Sequence, residues 1–271
     1  MGNSTRLISL TFDDALNVHL DRVIPALDSR GLHGTFFVTL GAPSFTARLD
    51  AWRRAAAGGH ELGNHTIHHP AWRRKSYVTE GNAIENYTLD RMRTELAAAN
   101  RILDGLDGQT VRTFAYPCSN PVLGRPGILK LLLRACALDR TRLMGWLQTF
   151  AGLDIGSTER SYEPVVAELF AAARIGGERF SAGTGYPPRR SAVPCVSLDG
   201  KSRGDVTAVL DAFMTCERGW LVFMAHGIGG GHALSVEADV FEWLLDALRE
   251  RSVTVCTFRE GALALYGSAR A

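Results

Sequence analysis

Three histidines stand within five positions of the segment "GNHTIHHP", residues 63–70: His65, His68 and His69. His65 and His69 are four apart. One helical turn would bring both rings to one face, and His68 is the rival partner at the i+3 spacing. Two neutral imidazoles and a carboxylate make a divalent-metal site with positions left for water and substrate. Alone, an HxxxH pair is weak evidence and fits solvated histidines at a helix start better.

A carboxylate stands elsewhere in the chain, where "LISLTF" (Leu7 to Phe12) runs into Asp13 and Asp14. Adjacent side chains on an extended strand point in opposite directions. One aspartate can then meet a metal while the other faces water. One aspartate would suffice as a helix N-cap, and two are more than capping requires. His226 closes the apolar run "WLVFMA" and precedes "GIGGG". "HGIGGGH" does not make a dinucleotide loop, because His232 takes the third glycine's place. Cys118, in "YPCS", is a rival centre: a cysteine near a histidine can be a hydrolase nucleophile. The structural alternative is a small apolar core residue.

These groups need a scaffold that brings positions 13, 65, 118 and 226 together. Short apolar runs alternate with helical periodicity from end to end. "LISLTF", "GTFFVTL", "VRTFAY", "RFSAGTG", "WLVFMAHG" and "VTVCTF" read as strands. "NVHLDRVIPALDSRG", with a kink expected at Pro25, "ARLDAWRRAAAGG", "ENYTLDRMRTELAAANRILDG", "YEPVVAELFAAARIGG", "DVTAVLDAFMTCERG" and "VEADVFEWLLDALRER" read as helices. This alternation predicts an α/β fold with a parallel sheet, and about seven strands suit a barrel better than a doubly wound sheet. Functional groups of such folds gather at the carboxyl ends of the strands. A single domain over 1–271 is expected, with a helical insertion at 125–161 where the rhythm breaks.

Composition narrows the class. The 271 residues are 46% hydrophobic and 21% charged, ordinary globular values that exclude a disordered or fibrous chain. A net charge of +2, with no basic run longer than "RRK" at Arg73 to Lys75, argues against a nucleic-acid groove. Five cysteines without a CxxC pair argue against a disulfide framework or a cysteine-rich zinc site. No stretch is long and apolar enough to span a membrane. The first residues enter a strand at once, so a cytoplasmic protein is expected, although a trimmed leader would read the same.

Four stretches together resemble polysaccharide deacetylases, the metal-dependent de-N-acetylases of the carbohydrate esterase type. They are "TFDD" (Thr11 to Asp14), "HTIHHP" (His65 to Pro70), "YPCS" (Tyr116 to Ser119) and "LVFMAHG" (Leu221 to Gly227). "GTFFV", "GHELGNHT" and, less diagnostically, "ELFAAARIGGERFSAGTG" extend the likeness from Leu7 to about Phe258. The resemblance implies a distorted (β/α)7-type barrel. It implies Asp14, His65 and His69 as metal ligands, Asp13 as general base and His226 as general acid. His69 takes the ligand place over His68 because the family's histidine precedes a proline, here Pro70. The Cys118 N–H would hold an oxyanion, with Tyr116 and Pro117 beside it, and Met224 would line the acyl pocket. Zinc is the expected ion, with cobalt, nickel or manganese as alternatives.

The resemblance thus implies a hydrolase taking an acetyl group from an acetylated sugar or glycan-like small molecule. A metal-independent cyclic amide or ureide hydrolase and a non-catalytic carbohydrate-binding pseudoenzyme are the alternatives. Three features depart from the family pattern. Ala115 stands where many members have an arginine tethering the base, and Arg112, Arg189 or Arg190 is expected to replace it. The motif that orients the catalytic histidine is not evident. "TFDDA" lacks the usual Gly-Pro after the aspartates. Oligomeric state is not legible.

Overall fold

A computed structural model of the chain describes residues 6–127, 157–176, 187, 189–251 and 253–267. Strand β1 (Arg6–Asp13) leads through a π-helical turn (His19–Val23) into α1 (Ile24–Asp28) and β2 (Thr35–Val38). The expected kink at Pro25 is thus a change of helix type, with the proline in the first turn of α1, where its missing N–H is tolerated. Next come α2 (Pro43–Ala47), α3 (Leu49–Ala57), β3 (Glu61–Asn64), α4 (Leu89–Asp107) and β4 (Thr113–Ala115). Thr88 caps α4 through its side chain, and Gly108 ends it in the left-handed conformation that glycine adopts without a Cβ clash.

β5 (Val122–Leu123) and β6 (Arg160–Ser161) form a short antiparallel pair before α5 (Glu163–Leu169). The chain continues through β7 (Ala172–Gly176), β8 (Val193–Ser197), α6 (Arg203–Met214) and β9 (Gly219–Ala225). A small parallel pair, β10 (Gly227–Ile228) and β11 (Ser235–Val236), precedes α7 (Ala238–Glu250), β12 (Thr254–Val255) and α8 (Phe258–Tyr266).

β1, β2, β3, β4, β7, β8 and β9 pair in parallel in that order. β9 returns to β1 over Arg6–Phe12, which closes the seven-stranded barrel. β12 adds two residues beside the first half of β1, below the point where β2 takes over.

The strand alternation divides the side chains. Ile8, Leu10, Phe12, Phe36, Val38, Leu221 and Phe223 face the surrounding helices in the main hydrophobic cluster. Leu7, Phe37, Ala115, Ala172, Val193, Cys195, Trp220 and Val222 fill a second cluster with Phe258. α8 closes one end. Its Arg259 N–H donates to Glu61 Oε2 (2.7 Å), and its Phe258 N–H donates to Thr35 Oγ1 (2.7 Å).

Three sequence expectations need correction. "YEPVVAELFAAARIGG" is not one helix: α5 stops at Leu169, and Ala172–Gly176 is the fifth barrel strand. Alanines favour helix locally, but pairing with β4 and β8 overrides that preference. β8, containing Pro194, was not anticipated as a strand. The expected last strand, Val253 to Phe258, is only Thr254–Val255, and Phe258 starts α8. The expected strand "RFSAGTG" and most of the helical insertion at 125–161 lie outside the described residues. Among the described residues, no helix is long and apolar enough to cross a membrane.

Candidate metal and catalytic site

β1 delivers Asp13 and Asp14 to the carboxyl end of the barrel, and β3 delivers His65 there. β9 ends at Ala225, opposite Phe12, so His226 emerges beside Asp13. Together with the loops after β2, β4 and β10 they line a cleft of about 700 Å³.

The backbone of this rim is unusual. Asp14, Ala15, Thr66, His69, Cys118 and Ser119 are the described non-glycine residues at positive φ, and all lie in three loops of the cleft. Such residues cost about 1–3 kcal/mol each and persist where surrounding contacts hold them. Those contacts are present around the histidines. Thr66 N–H donates to Asn64 Oδ1 (2.8 Å), and His69 N–H donates to Thr66 Oγ1 (2.8 Å). Glu95, buried on α4, accepts from Ile67 N–H and His68 N–H, both at 3.0 Å. The segment 65–69 is therefore an irregular loop, not the helical turn that the i, i+4 spacing suggests. The left-handed turns at Thr66 and His69, rather than helical periodicity, bring the two rings to 4.9 Å.

Asp14 Oδ1 lies 3.5 Å from His65 Nε2 and 3.5 Å from His69 Nε2. One donor atom from each of these residues falls within a common 4.8 Å. Bonds of 2.0–2.2 Å to a tetrahedral ion would separate two ligand atoms by about 3.4 Å. The spacing fits a shared cation better than direct hydrogen bonds. His65 Nδ1 donates to the Ala115 carbonyl (2.8 Å), which leaves Nε2 with its lone pair. Burial pushes both imidazoles down to about 4, so both are neutral at physiological pH, the form able to ligate a metal. His68 lines the cleft but stands outside the donor cluster.

Asp13 is buried, and its partner is Arg174, which points inward from β7. The guanidinium Nη2 donates to Asp13 Oδ2, while Oδ1 has no hydrogen-bond partner. Burial alone would raise the Asp13 pKa. The charges of Arg174, His65 and His226 outweigh it, and the carboxyl titrates below the ordinary aspartate value of 3.8. Arg174 thus takes the place beside Asp13 for which Arg112, Arg189 or Arg190 was expected. Arg112 instead holds Asp104 (2.8 Å) and Asp107 near the end of α4, away from the cleft. Arg190 binds carbonyls of Ala167, Phe170 and Ala171 at the end of α5, and Arg189 pairs with Glu163. None of the three touches Asp13. Arg174 escaped notice because its alanine-rich segment looked helical.

His226 also has a partner the sequence reading lacked. Asp199, just beyond β8, meets His226 Nδ1 through Oδ2 (2.6 Å) and accepts the His226 backbone N–H through Oδ1 (3.0 Å). Burial pulls the imidazole pKa down. The hydrogen bond to Asp199 and the charges of Asp13, Asp199 and Asp14 outweigh it and raise it above 6.5. Buried His19 adds a bond from Nε2 to the His226 carbonyl (2.8 Å). "VSLD" carried the signal for Asp199, an aspartate just past an apolar run, but its run was not recognised as a strand.

Cys118 is exposed rather than a core residue, and its thiol lies 3.0 Å from the Tyr77 hydroxyl. Its backbone is held in the left-handed region at the cleft rim (φ 50°). Tyr116 and Met224 line the cleft, whereas Pro117 is buried outside the lining.

Comparison with known proteins bears on the family and the fold. Residues 2–121 match the family model described as polysaccharide deacetylase. Among solved structures, the chain resembles the CE4 domain of a multidomain xylanase from the hindgut metagenome of Trinervitermes trinervoides. Identity is 14%, 98% of this chain and 93% of that chain are covered, and the TM-score is 0.53. The catalytic domain of a peptidoglycan N-acetylglucosamine deacetylase from Eubacterium rectale is 16% identical, with 95% and 90% covered and a TM-score of 0.52. A family 4 acetyl xylan esterase from Clostridium thermocellum, in complex with a cobalt ion, is 17% identical, with 97% and 93% covered and a TM-score of 0.50. At these identities the structural likeness is one of fold.

Proposed function

We propose that this chain, which belongs to the polysaccharide deacetylase family through residues 2–121, is a metal-dependent hydrolase that removes an N-acetyl group from a sugar or sugar-bearing small molecule. The observation that carries the proposal is the convergence of Asp14, His65 and His69, flanked by the Asp13–Arg174 and His226–Asp199 pairs. The donor set of two imidazoles and one carboxylate suits zinc, and cobalt, nickel and manganese accept the same ligands. When bound, such an ion supplies Lewis acidity, lowering the pKa of water and polarising a carbonyl.

The remaining chemistry belongs to the chain. Arg174 occupies one oxygen of Asp13 and keeps the group ionised, which leaves Oδ1 to take the proton of the attacking water. The water oxygen adds to the amide carbonyl. The N–H of Cys118, held in a left-handed turn at the cleft wall, would receive the developing oxyanion. His226, with Nδ1 engaged by Asp199, presents Nε2 to the departing nitrogen and gives it a proton. Met224 and Tyr116 supply the wall for the acetyl methyl and the sugar. Acetate release from N-acetylated sugars, lost on chelation and restored by zinc or cobalt, tests the proposal. Turnover indifferent to a chelator would redirect it to metal-independent amide hydrolysis.

A further inference from the structure

The charges around the cleft are unevenly shared. Among the described residues its acidic lining residues are Asp13 and Asp14 alone. Asp13 is engaged by Arg174, and Asp14 faces the histidine donors. On the opposite balance stand Arg174 and Lys75, with His68 and His232 as further neutral or cationic donors.

Lys75 differs from Arg73, two positions before it. Arg73 is neutralised locally: its Nη2 lies 2.9 Å from Glu80, and its N–H donates to the Glu85 carboxylate. Lys75 has no acidic partner among the described residues. Its backbone is nevertheless fixed, because Lys75 N–H donates to the Trp72 carbonyl (2.9 Å) and Val78 N–H donates to the Lys75 carbonyl (3.0 Å). The turn thus holds an uncompensated ammonium at the cleft wall. Two residues on, Tyr77 is 56% exposed and lies edge-on to His69 at 5.6 Å, which offers an aromatic wall beside the metal-binding histidines. An unpaired cation in a cleft whose carboxylates are committed selects an anion.

We propose that the cleft takes an acetamido sugar that carries its own negative charge, a phosphate or a carboxylate, and that Lys75 binds that charge. This rests on the deacetylase reading for the acetamido group. The lysine's preference for an anion stands independently of it. Lys75 is a specificity-determining residue, acting on the part of the substrate remote from the scissile amide.

The test measures binding and turnover separately. Binding is measured by titration calorimetry on the full-length Asp13→Asn protein, which removes turnover. The ligands are N-acetylglucosamine, its 1-phosphate and 6-phosphate, N-acetylmuramic acid, and inorganic phosphate as a bare-anion control. Each is repeated with Lys75→Gln, Lys75→Glu and Lys75→Arg added. At least one anionic sugar should bind more tightly than N-acetylglucosamine and than inorganic phosphate. That preference should fall about tenfold in Lys75→Gln, fall further in Lys75→Glu, and largely return in Lys75→Arg. Whichever sugar responds distinguishes phosphate from carboxylate.

Equal binding of neutral and charged sugars would overturn the inference. So would a preference that survives Lys75→Gln, or inorganic phosphate binding as well as the sugars do. Acetate release by the wild-type enzyme separates the two readings. Release from neutral sugars without Lys75-dependent preference leaves the deacetylase and removes the anion subsite. Lys75-dependent binding without acetate release from any sugar does the reverse.

Discussion

Arg174 and Asp13 are 161 residues apart in sequence, yet the guanidinium reaches across the barrel interior to one carboxylate oxygen and leaves the other unpartnered. The pair is almost wholly buried, so each charge depends on the other. Arg174→Met should lower kcat by about 10²- to 10⁴-fold, the usual contribution of a positioned base. It should also move the acidic limb of the pH–rate profile upward, because the arginine is what holds Asp13 below 3.8. Arg174→Lys should recover part of both effects. Kinetics from acid to neutral pH check this, and an unmoved acidic limb would separate Asp13 from the base role.

The His226–Asp199 pair governs the other limb. The proposed reaction requires ionised Asp13 and protonated His226, so the profile should be bell-shaped, falling on the alkaline side through a pKa above 6.5. Asp199→Asn removes a charge that raises that pKa. The alkaline limb should shift to lower pH, with kcat reduced by about 10²-fold or more. A flat profile, or one whose alkaline limb ignores Asp199→Asn, would remove His226 as the acid.

Metal binding should discriminate between adjacent histidines. Zinc at about a hundred times its dissociation constant would stabilise the folded chain by about 2.7 kcal/mol. Thermal melts should show this increment in the wild type and in His68→Ala, and lose it in His69→Ala, His65→Ala and Asp14→Ala. Equal loss in His68→Ala would mean the loop holds its ion differently.

Glu95 anchors the same loop from below. Its carboxylate accepts two backbone N–H groups and the Tyr87 hydroxyl (2.7 Å). Glu95→Ala should weaken zinc affinity by about 10- to 100-fold, the scale seen when groups that orient metal ligands are lost. Competition with a chromophoric chelator measures it. Unchanged affinity would show that the left-handed turns at Thr66 and His69 hold without the carboxylate.

The alternation of apolar runs and helical periodicity made the barrel legible, and the motif ends located Asp13, Asp14, His65, His69, Cys118 and His226 on one rim. What stayed hidden lies where local preference and tertiary structure disagree. Ala172–Gly176 carries helix-forming alanines, yet the barrel's closure needs a strand there, and Arg174 turns inward only as a strand residue. Pro194 disguised β8 and with it Asp199. The arginines weighed instead are spent elsewhere: Arg112 at the end of α4, Arg190 at the end of α5, and Arg189 on Glu163. No spacing rule announces such partners, because the contact is made by sheet order rather than by sequence distance.

The most direct measurement is mass spectrometry of a panel of N-acetylated sugars and sugar conjugates incubated with the zinc-loaded protein, with a chelator, and with the Asp13→Asn variant. Metal-dependent hydrolysis predicts loss of one acetyl group from at least one member with zinc, and no loss in the other two conditions. Acetyl loss that persists with chelator or in Asp13→Asn, or none from any member with zinc present, would contradict the account.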